Sequence, residues 1–210
     1  MNRGNGRAEV FHKADDFAAF VRLFELACER VPVRLLGWCV MPNHFHLVLW
    51  PRGDGDLGRW MQWLLTSHVR RYHRHYQGSG HVWQGRFKAF PVQRDEHFLS
   101  VLRYVERNAL RAGLVSRAED WRWSSLSCRE ARADCPWLAP PPVALPSNWR
   151  SLVNRVQSES ELESLRRRVK TGTFCFFVSK RAKGAVSCGD AAHCPSIPRQ
   201  LVLPRDEPWQ

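Results

Sequence analysis

The chain has 210 residues, with 32 Lys and Arg against 20 Asp and Glu, a formal net charge of +12. That length can bury a sizeable core and suits one domain of roughly 100 to 150 residues with an appendage, while the charge points to a polyanionic partner, nucleic acid or an anionic membrane surface. No run approaches the roughly 18 apolar residues of a spanning helix and no apolar signal region opens the chain, so the expectation is a soluble, cytoplasmic protein without a membrane span.

Residues 14 to 31, ADDFAAFVRLFELACERV, place Phe17, Phe20, Val21, Phe24 and Cys28 at helical spacing behind Asp15 and Asp16, whose charges suit a helix N-terminus. Pro32 ends this helix, VRLLGWCVM (33 to 41) reads as a strand, and Pro42 and Asn43 turn the chain into a second strand beginning at His44. Past the turn PRGDGD, residues 57 to 76 form a helix with Trp60, Trp63, Leu64 and Val69 on its apolar side and a strongly basic end, VRRYHRHY. After QGSG, FKAFPVQ (87 to 93) is a strand whose Pro91 suits a sheet edge, and 95 to 113 is a helix closed by Gly113. The Pro-rich stretch 132 to 150 reads as a connector, 160 to 170 as a short basic helix, and 171 to 210 have no sustained periodicity beyond an apolar FCFF cluster.

The seven cysteines, 28, 39, 128, 135, 175, 188 and 194, are odd in number and scattered, which predicts reduced thiols rather than a disulfide framework. Cys188 and Cys194 beside His193 have no C-x-x-C pair or second ligand cluster, so they do not make a zinc site.

In MPNHFHLVLW (41 to 50), His44 and His46 are two residues apart on a strand and project from one face, with Val48 and Trp50. Two such imidazoles can converge on one metal ion, or they can be structural histidines in an apolar strand. On the last long helix Phe98, Val101, Leu102, Val105 and Ala109 make the core stripe, and Tyr104 and Asn108 sit one turn apart on a flank, with His97 and Arg111 on the same side. A tyrosine beside a metal could attack a phosphodiester and remain linked to it. A phenol is a weak nucleophile at neutral pH, and a cation on the phosphate would help it. Tyr72 and Tyr76, in the basic run, suit base stacking or packing instead.

NRGNGR (2 to 7), MPNHFHLVLW (41 to 50), HVWQGRFKAF (81 to 90), YVERNALRAGLV (104 to 115) and DWRWSSL (120 to 126) together resemble, in order and spacing, the REP-associated tyrosine transposases, relatives of the single-tyrosine insertion-sequence transposases in the HUH nuclease superfamily. The resemblance covers roughly residues 2 to 130, and 148 to 170 weakly. It implies an α+β, ferredoxin-like antiparallel sheet with helices on one face, His44 and His46 as metal ligands with Asn108 as the third, and Tyr104 as the nucleophile. It further implies a divalent metal, Mg or Mn, and single-stranded or hairpin DNA as substrate, cleaved and rejoined in DNA transposition; whether the protein is a monomer or homodimer is left open by the sequence. Arg3, Arg7, Arg70, Arg71, Arg74, Arg86 and Lys88 are the candidate DNA contacts.

The family's strand before N-R-G is missing ahead of Met1, which predicts a truncated first strand. A ferredoxin-like sheet needs that strand in its centre, and NRGNGRAEVF or part of FCFF could substitute for it. Two further departures are N-A-L-R-A-G at 108 to 113, where the family has N-P-V-R-A-G, and the sequence after Lys170. The domains expected are 1 to 130 for the nuclease, 131 to 170 for a connector and basic helix, and 171 to 210 for an irregular tail. The alternative reading is a decayed protein that binds DNA hairpins without cutting them; an RNA-binding sheet is disfavoured because the strands lack paired aromatics.

Overall fold

The computed structural model describes residues 2–92, 96–131, 135–159, 161 and 175–178. Along the chain come β1 (Asn2–Arg3), α1 (Ala14–Arg30), β2 (Val33–Met41), β3 (His44–Pro51), α2 (Asp56–Tyr76), β4 (Ala89–Val92), α3 (Glu96–Glu106), α4 (Asn108–Arg111), α5 (Ser125–Glu130), α6 (Trp149–Asn154) and β5 (Cys175–Val178). The order β-α-β-β-α-β-α through α3 is that of a ferredoxin-like α+β unit.

β2 and β3 form the expected hairpin, antiparallel from Val33↔Pro51 to Met41↔His44 with one irregularity between Leu35 and Gly37. β2 therefore takes one whole edge of β3. The other edge is shared: β1 pairs with it antiparallel at Asn2↔Phe45 and Arg3↔His44, and β5 pairs with it parallel from Leu47↔Cys175 to Leu49↔Phe177. β5 also pairs parallel with β4, so the sheet runs β2, β3, β5, β4, with β1 beside the start of β3. Cys175–Val178, which takes in the CFF of that cluster, thus fills the gap between β3 and β4, and it makes that half of the sheet parallel where an antiparallel sheet was expected. Both substitutes contribute, NRG at the start of β3 and CFFV further along it. An open slot between two strands would leave two rows of backbone groups unpaired, which favours any segment able to enter.

Residues alternate between the two faces of β2 and β3. Leu35, Trp38, Val40, Phe45, Leu47 and Leu49 join α1 and α2 in one apolar cluster, with Phe20, Phe24, Trp60 and Leu64. Leu36, Cys39, Met41 and Val48 join α3 in a second, with Phe98, Val101, Leu102 and Val105. Helices were expected on one face; α1 and α2 lie there, and α3 covers the other because both alternations of the strands are apolar. Gly37 permits that approach: a Cβ there would stand 2.2 Å from Leu102 Cδ1.

α1 opens as its acidic start suggested, the Asp16 carboxylate accepting from the backbone N–H groups of His12 and Lys13 at 3.0 and 3.2 Å. The helix expected over 95 to 113 is two pieces, α3 and α4, and Gly113 at φ +70° follows α4. The Pro-rich connector runs along the outer edge of β2, where Ala139 N–H donates to Leu35 O at 2.8 Å, and its last residues already belong to α6. Cys128 and Cys135 are joined by a disulfide, their Cα atoms 6.7 Å apart, which corrects the expectation of reduced thiols at these two positions. Cys28 and Cys39 are free. The basic helix expected over 160 to 170 lies, apart from residue 161, outside the described residues, as does the tail other than β5. No helix among the described residues is long and apolar enough to cross a membrane.

Candidate nuclease site

β3 carries His44 and His46 on the face that meets α3, and their rings are 5.0 Å apart, edge to face. His46 is 2% exposed, and neither of its ring nitrogens has a hydrogen-bond partner among the described residues. A buried imidazole in that state costs about 1–3 kcal/mol unless something else engages its nitrogens. His44 is oriented by its neighbour, its Nδ1 lying 2.6 Å from Asn43 Oδ1, which leaves Nε2 as its outward donor atom. Burial above all, and then the charges of Arg3 and Arg111, hold His44 down at about 3. Burial, His44 and the same two arginines hold His46 well below the ordinary histidine value. Both rings are therefore neutral at physiological pH, the state in which an imidazole ligates a metal.

α3 lays Tyr104 against this pair, its ring edge to face with His46 at 5.8 Å and only 6% exposed. Arg111, one element later, donates from Nη2 to Tyr104 Oη at 3.2 Å and to Asn108 Oδ1 at 2.7 Å, and its guanidinium lies 4.6 Å from the Tyr104 ring centre. Asn108 directs its Nδ2 back onto Tyr104 O at 2.8 Å and Val105 O at 3.2 Å, which fixes its amide and leaves Oδ1 to Arg111. His44, His46 and Tyr104 are thus one contact chain, and Asn108 joins it through Arg111.

The donor set fits a metal ion in part. No group of three His, Cys, Asp or Glu able to hold an ion exists among the described residues. The two neutral histidines, with the idle nitrogens of His46, still fit two positions of a divalent ion, and a carboxamide oxygen such as that of Asn108 is a suitable third donor.

A buried carboxylate holds the tyrosine helix in place. Glu106 is 0% exposed and accepts from Ser125 Oγ at 2.6 Å, Trp149 Nε1 at 2.8 Å and Arg129 Nε at 3.2 Å, tying α3 to α5 and α6. Arg103 and Arg107 on either side donate to carbonyls at the end of α6, including Leu152 O at 2.7 Å and Asn154 O at 2.6 Å. Sequence reasoning did not find Glu106 because its partners are 19 to 43 residues away. An acidic residue amid an apolar helix stripe was the one signal available.

The candidate DNA contacts divide. Arg3 pairs with His44 across β1 and β3, and the loop bearing exposed Arg86 and Lys88 is anchored to the same segment by Gln84 N–H donating to Arg3 O at 2.8 Å. Arg7 is exposed on the turn that follows β1. Arg70 and Arg74 are exposed on α2, across the sheet from α3, and Arg71 points to Asp16 at 3.6 Å. Tyr76 also bonds Asp16, through Oη at 2.5 Å, and Tyr72 lies 3.2 Å from His12 Nε2, so both phenols of the basic run are engaged in packing.

Residues 1–108 match the model of a family described as "Transposase IS200 like". A protein of Haemophilus influenzae named as a REP-associated tyrosine transposase is 26% identical over 126 residues, which is 55% of this chain and 70% of that one. A solved structure described as a REP-associated tyrosine transposase bound to a REP hairpin is 22% identical and covers 75% of this chain and 89% of its own, with a TM-score of 0.46.

Proposed function

The chain belongs to the IS200-like transposase family, and on that premise we propose that it cleaves and rejoins single-stranded DNA beside a hairpin, through a covalent link to Tyr104. The observation that carries this reading is the contact of the Tyr104 ring with His46, one of two neutral imidazoles that share a strand face. In the cleavage step Tyr104 Oη attacks the scissile phosphorus as the bond from phosphorus to the 3′ oxygen breaks. The products are a 5′-phosphotyrosine and a free 3′-hydroxyl, which gains the proton the phenol loses. Rejoining is the same displacement in reverse, with the 3′-hydroxyl of a strand as nucleophile.

His44, His46 and Asn108 would hold a divalent ion, Mg or Mn. Such an ion would supply charge neutralisation at the phosphate. The remaining steps fall to the chain itself: α3 and its Glu106 anchor hold Tyr104 at the histidine pair, and Arg3, Arg7, Arg86 and Lys88 supply cations on the side of the site where β1 meets β3. The Haemophilus influenzae relative is named for its association with REP sequences, which agrees with DNA as the partner.

The test is a denaturing gel with an end-labelled hairpin carrying a single-stranded flank. The unmodified protein should yield a covalent adduct that Tyr104→Phe does not form, with hairpin affinity nearly unchanged and Tyr72→Phe still active. An adduct retained by Tyr104→Phe would sink the assignment, and tight hairpin binding with no adduct from the unmodified protein would leave the non-catalytic reading.

A further inference from the structure

Most arginines around the nucleophile helix have an evident structural occupation. Arg129 is paired with Glu106 at 3.2 Å, Arg103 with Glu161 at 3.2 Å and the end of α6, and Arg107 with two carbonyls of α6. Arg117 is paired with Glu119 at 2.7 Å. Arg111 differs: no carboxylate among the described residues lies within ion-pair distance, and its protein bonds run from Nη2 alone, to Tyr104 Oη and Asn108 Oδ1. It is exposed, and Nη1 and Nε have no acceptor among the described residues, on a guanidinium that stacks on the tyrosine ring. A cation held beside a nucleophilic oxygen, with donors still available and no counter-ion, is arranged for an anion that arrives with the substrate.

We propose that Arg111 is a further catalytic residue, whose guanidinium binds the non-bridging oxygens of the scissile phosphate while its Nη2 guides Tyr104 Oη toward the phosphorus. The proposal rests on the cleavage reading above. In the displacement the phosphate gains an entering and a leaving oxygen, and the charge on its equatorial oxygens is what a planar fork of donors can meet. The bond to Asn108 Oδ1 uses one lone pair of that oxygen and leaves the second for another partner. Arg111 thereby sets the spacing between the nucleophile and the carboxamide, two groups that do not bond each other through their side-chain oxygens.

The experiment measures single-turnover adduct formation on a hairpin oligonucleotide with an unpaired flank, once with a natural phosphate at the scissile position and once with an uncharged methylphosphonate. Arg111→Ala should slow the natural substrate about 100-fold, with hairpin affinity and thermal unfolding close to those of the unmodified protein. Arg111→Lys, which keeps the charge and loses the fork, should recover about a tenth of the lost rate or more. Arg111→Gln, which can still donate to Asn108, should be as slow as Arg111→Ala and guards against a merely local collapse. The decisive result is coupling: on the methylphosphonate, Arg111→Ala should cost almost nothing further, because the charge it meets is gone. Equal losses from Arg111→Ala on both substrates would overturn the proposal, as would an unimpaired Arg111→Ala on the natural one. If the unmodified protein formed no adduct at all, this proposal and the cleavage reading would fall together, whereas an active parent with an indifferent Arg111 would remove only this one.

Discussion

The two faces of the β2–β3 hairpin use the same backbone for opposite purposes. Toward α1 and α2 the strands present Trp38, Phe45, Leu47 and Leu49 to Phe20, Phe24 and Trp60, an interior built almost wholly from rings and branched chains. Toward α3 they present His46 beside Leu36 and Val48; α3 answers with Tyr104 and Glu106, and α4 with Asn108. Every oxygen of Glu106 has a donor, as a buried carboxylate requires, whereas the ring nitrogens of His46 have none among the described residues. The first face also holds ring nitrogens without a partner among the described residues, those of Trp38 and Trp83 and His68 Nδ1, inside its apolar packing; on the second, the unmet polar demand of His46 stands beside a second histidine and a tyrosine, and a site is where such a demand is retained.

The sharpest way to break this contrast is to remove the demand. His46→Leu should reduce adduct formation below detection while leaving the unfolding midpoint unchanged or higher, because it replaces an unpartnered buried ring with an apolar side chain. Adduct formation retained in His46→Leu and in excess chelator would return both histidines to a structural role. On the opposite face the pattern reverses. Phe20→Ala should cost about 4 kcal/mol in denaturant unfolding through the cavity it leaves, with the adduct rate of the folded fraction unaltered.

Glu106→Ala tests the seam between the faces and the appended helices. It leaves Arg129 and Trp149 without their acceptor, so a loss of about 3 kcal/mol is expected. Unlike Phe20→Ala it should also slow the adduct step, since the helix bearing Tyr104 loses its tie to α5 and α6. A stability loss without a rate loss would show that α3 is positioned by the sheet alone.

Acid should probe both faces at once. His68 is buried among Phe11, Phe20 and Trp83, and burial first, then the Arg71 charge, holds it at about 3. The unfolded chain binds a proton near the ordinary histidine value, above the folded one, so the stabilisation is present above that value and is lost as pH falls toward about 3. Stability should decline by about 1.4 kcal/mol per pH unit for each such histidine across that window. His68→Leu should make the decline measurably shallower, and an unchanged slope would mean that His68 is not buried as a neutral ring.

The smallest effects concern DNA contacts. Each arginine that meets a phosphate should contribute about 0.7 to the slope of log affinity against log salt. Arg3→Ala should flatten the slope, since Arg3 adjoins His44. Arg71→Ala should change it less than Arg70→Ala or Arg74→Ala, because Asp16 already engages Arg71. Equal slopes for all three α2 variants and the unmodified protein would place that helix away from DNA.

Much of this architecture was legible in the amino-acid order. The alternation of 44 to 50 set His44 and His46 on one strand face, Pro42 and Asn43 marked the turn that makes the hairpin, and the four-residue spacing of Tyr104 and Asn108 put them on one flank. Gly113 ended the helical run, although the break between α3 and α4 was not foreseen. These features depend on neighbours within about one turn or one pleat, so the period of the sequence states them directly. What only the tertiary structure decided lies at longer range: that Cys175–Val178 enters the sheet between β3 and β4, that Arg111 bridges Tyr104 and Asn108, that Glu106 gathers Ser125, Arg129 and Trp149, and that Cys128 meets Cys135. A strand slot is filled through backbone groups that every residue carries, and a buried carboxylate through whichever donors the chain brings within reach, so neither choice leaves a local pattern; the folded geometry selects among candidates that the sequence leaves equivalent.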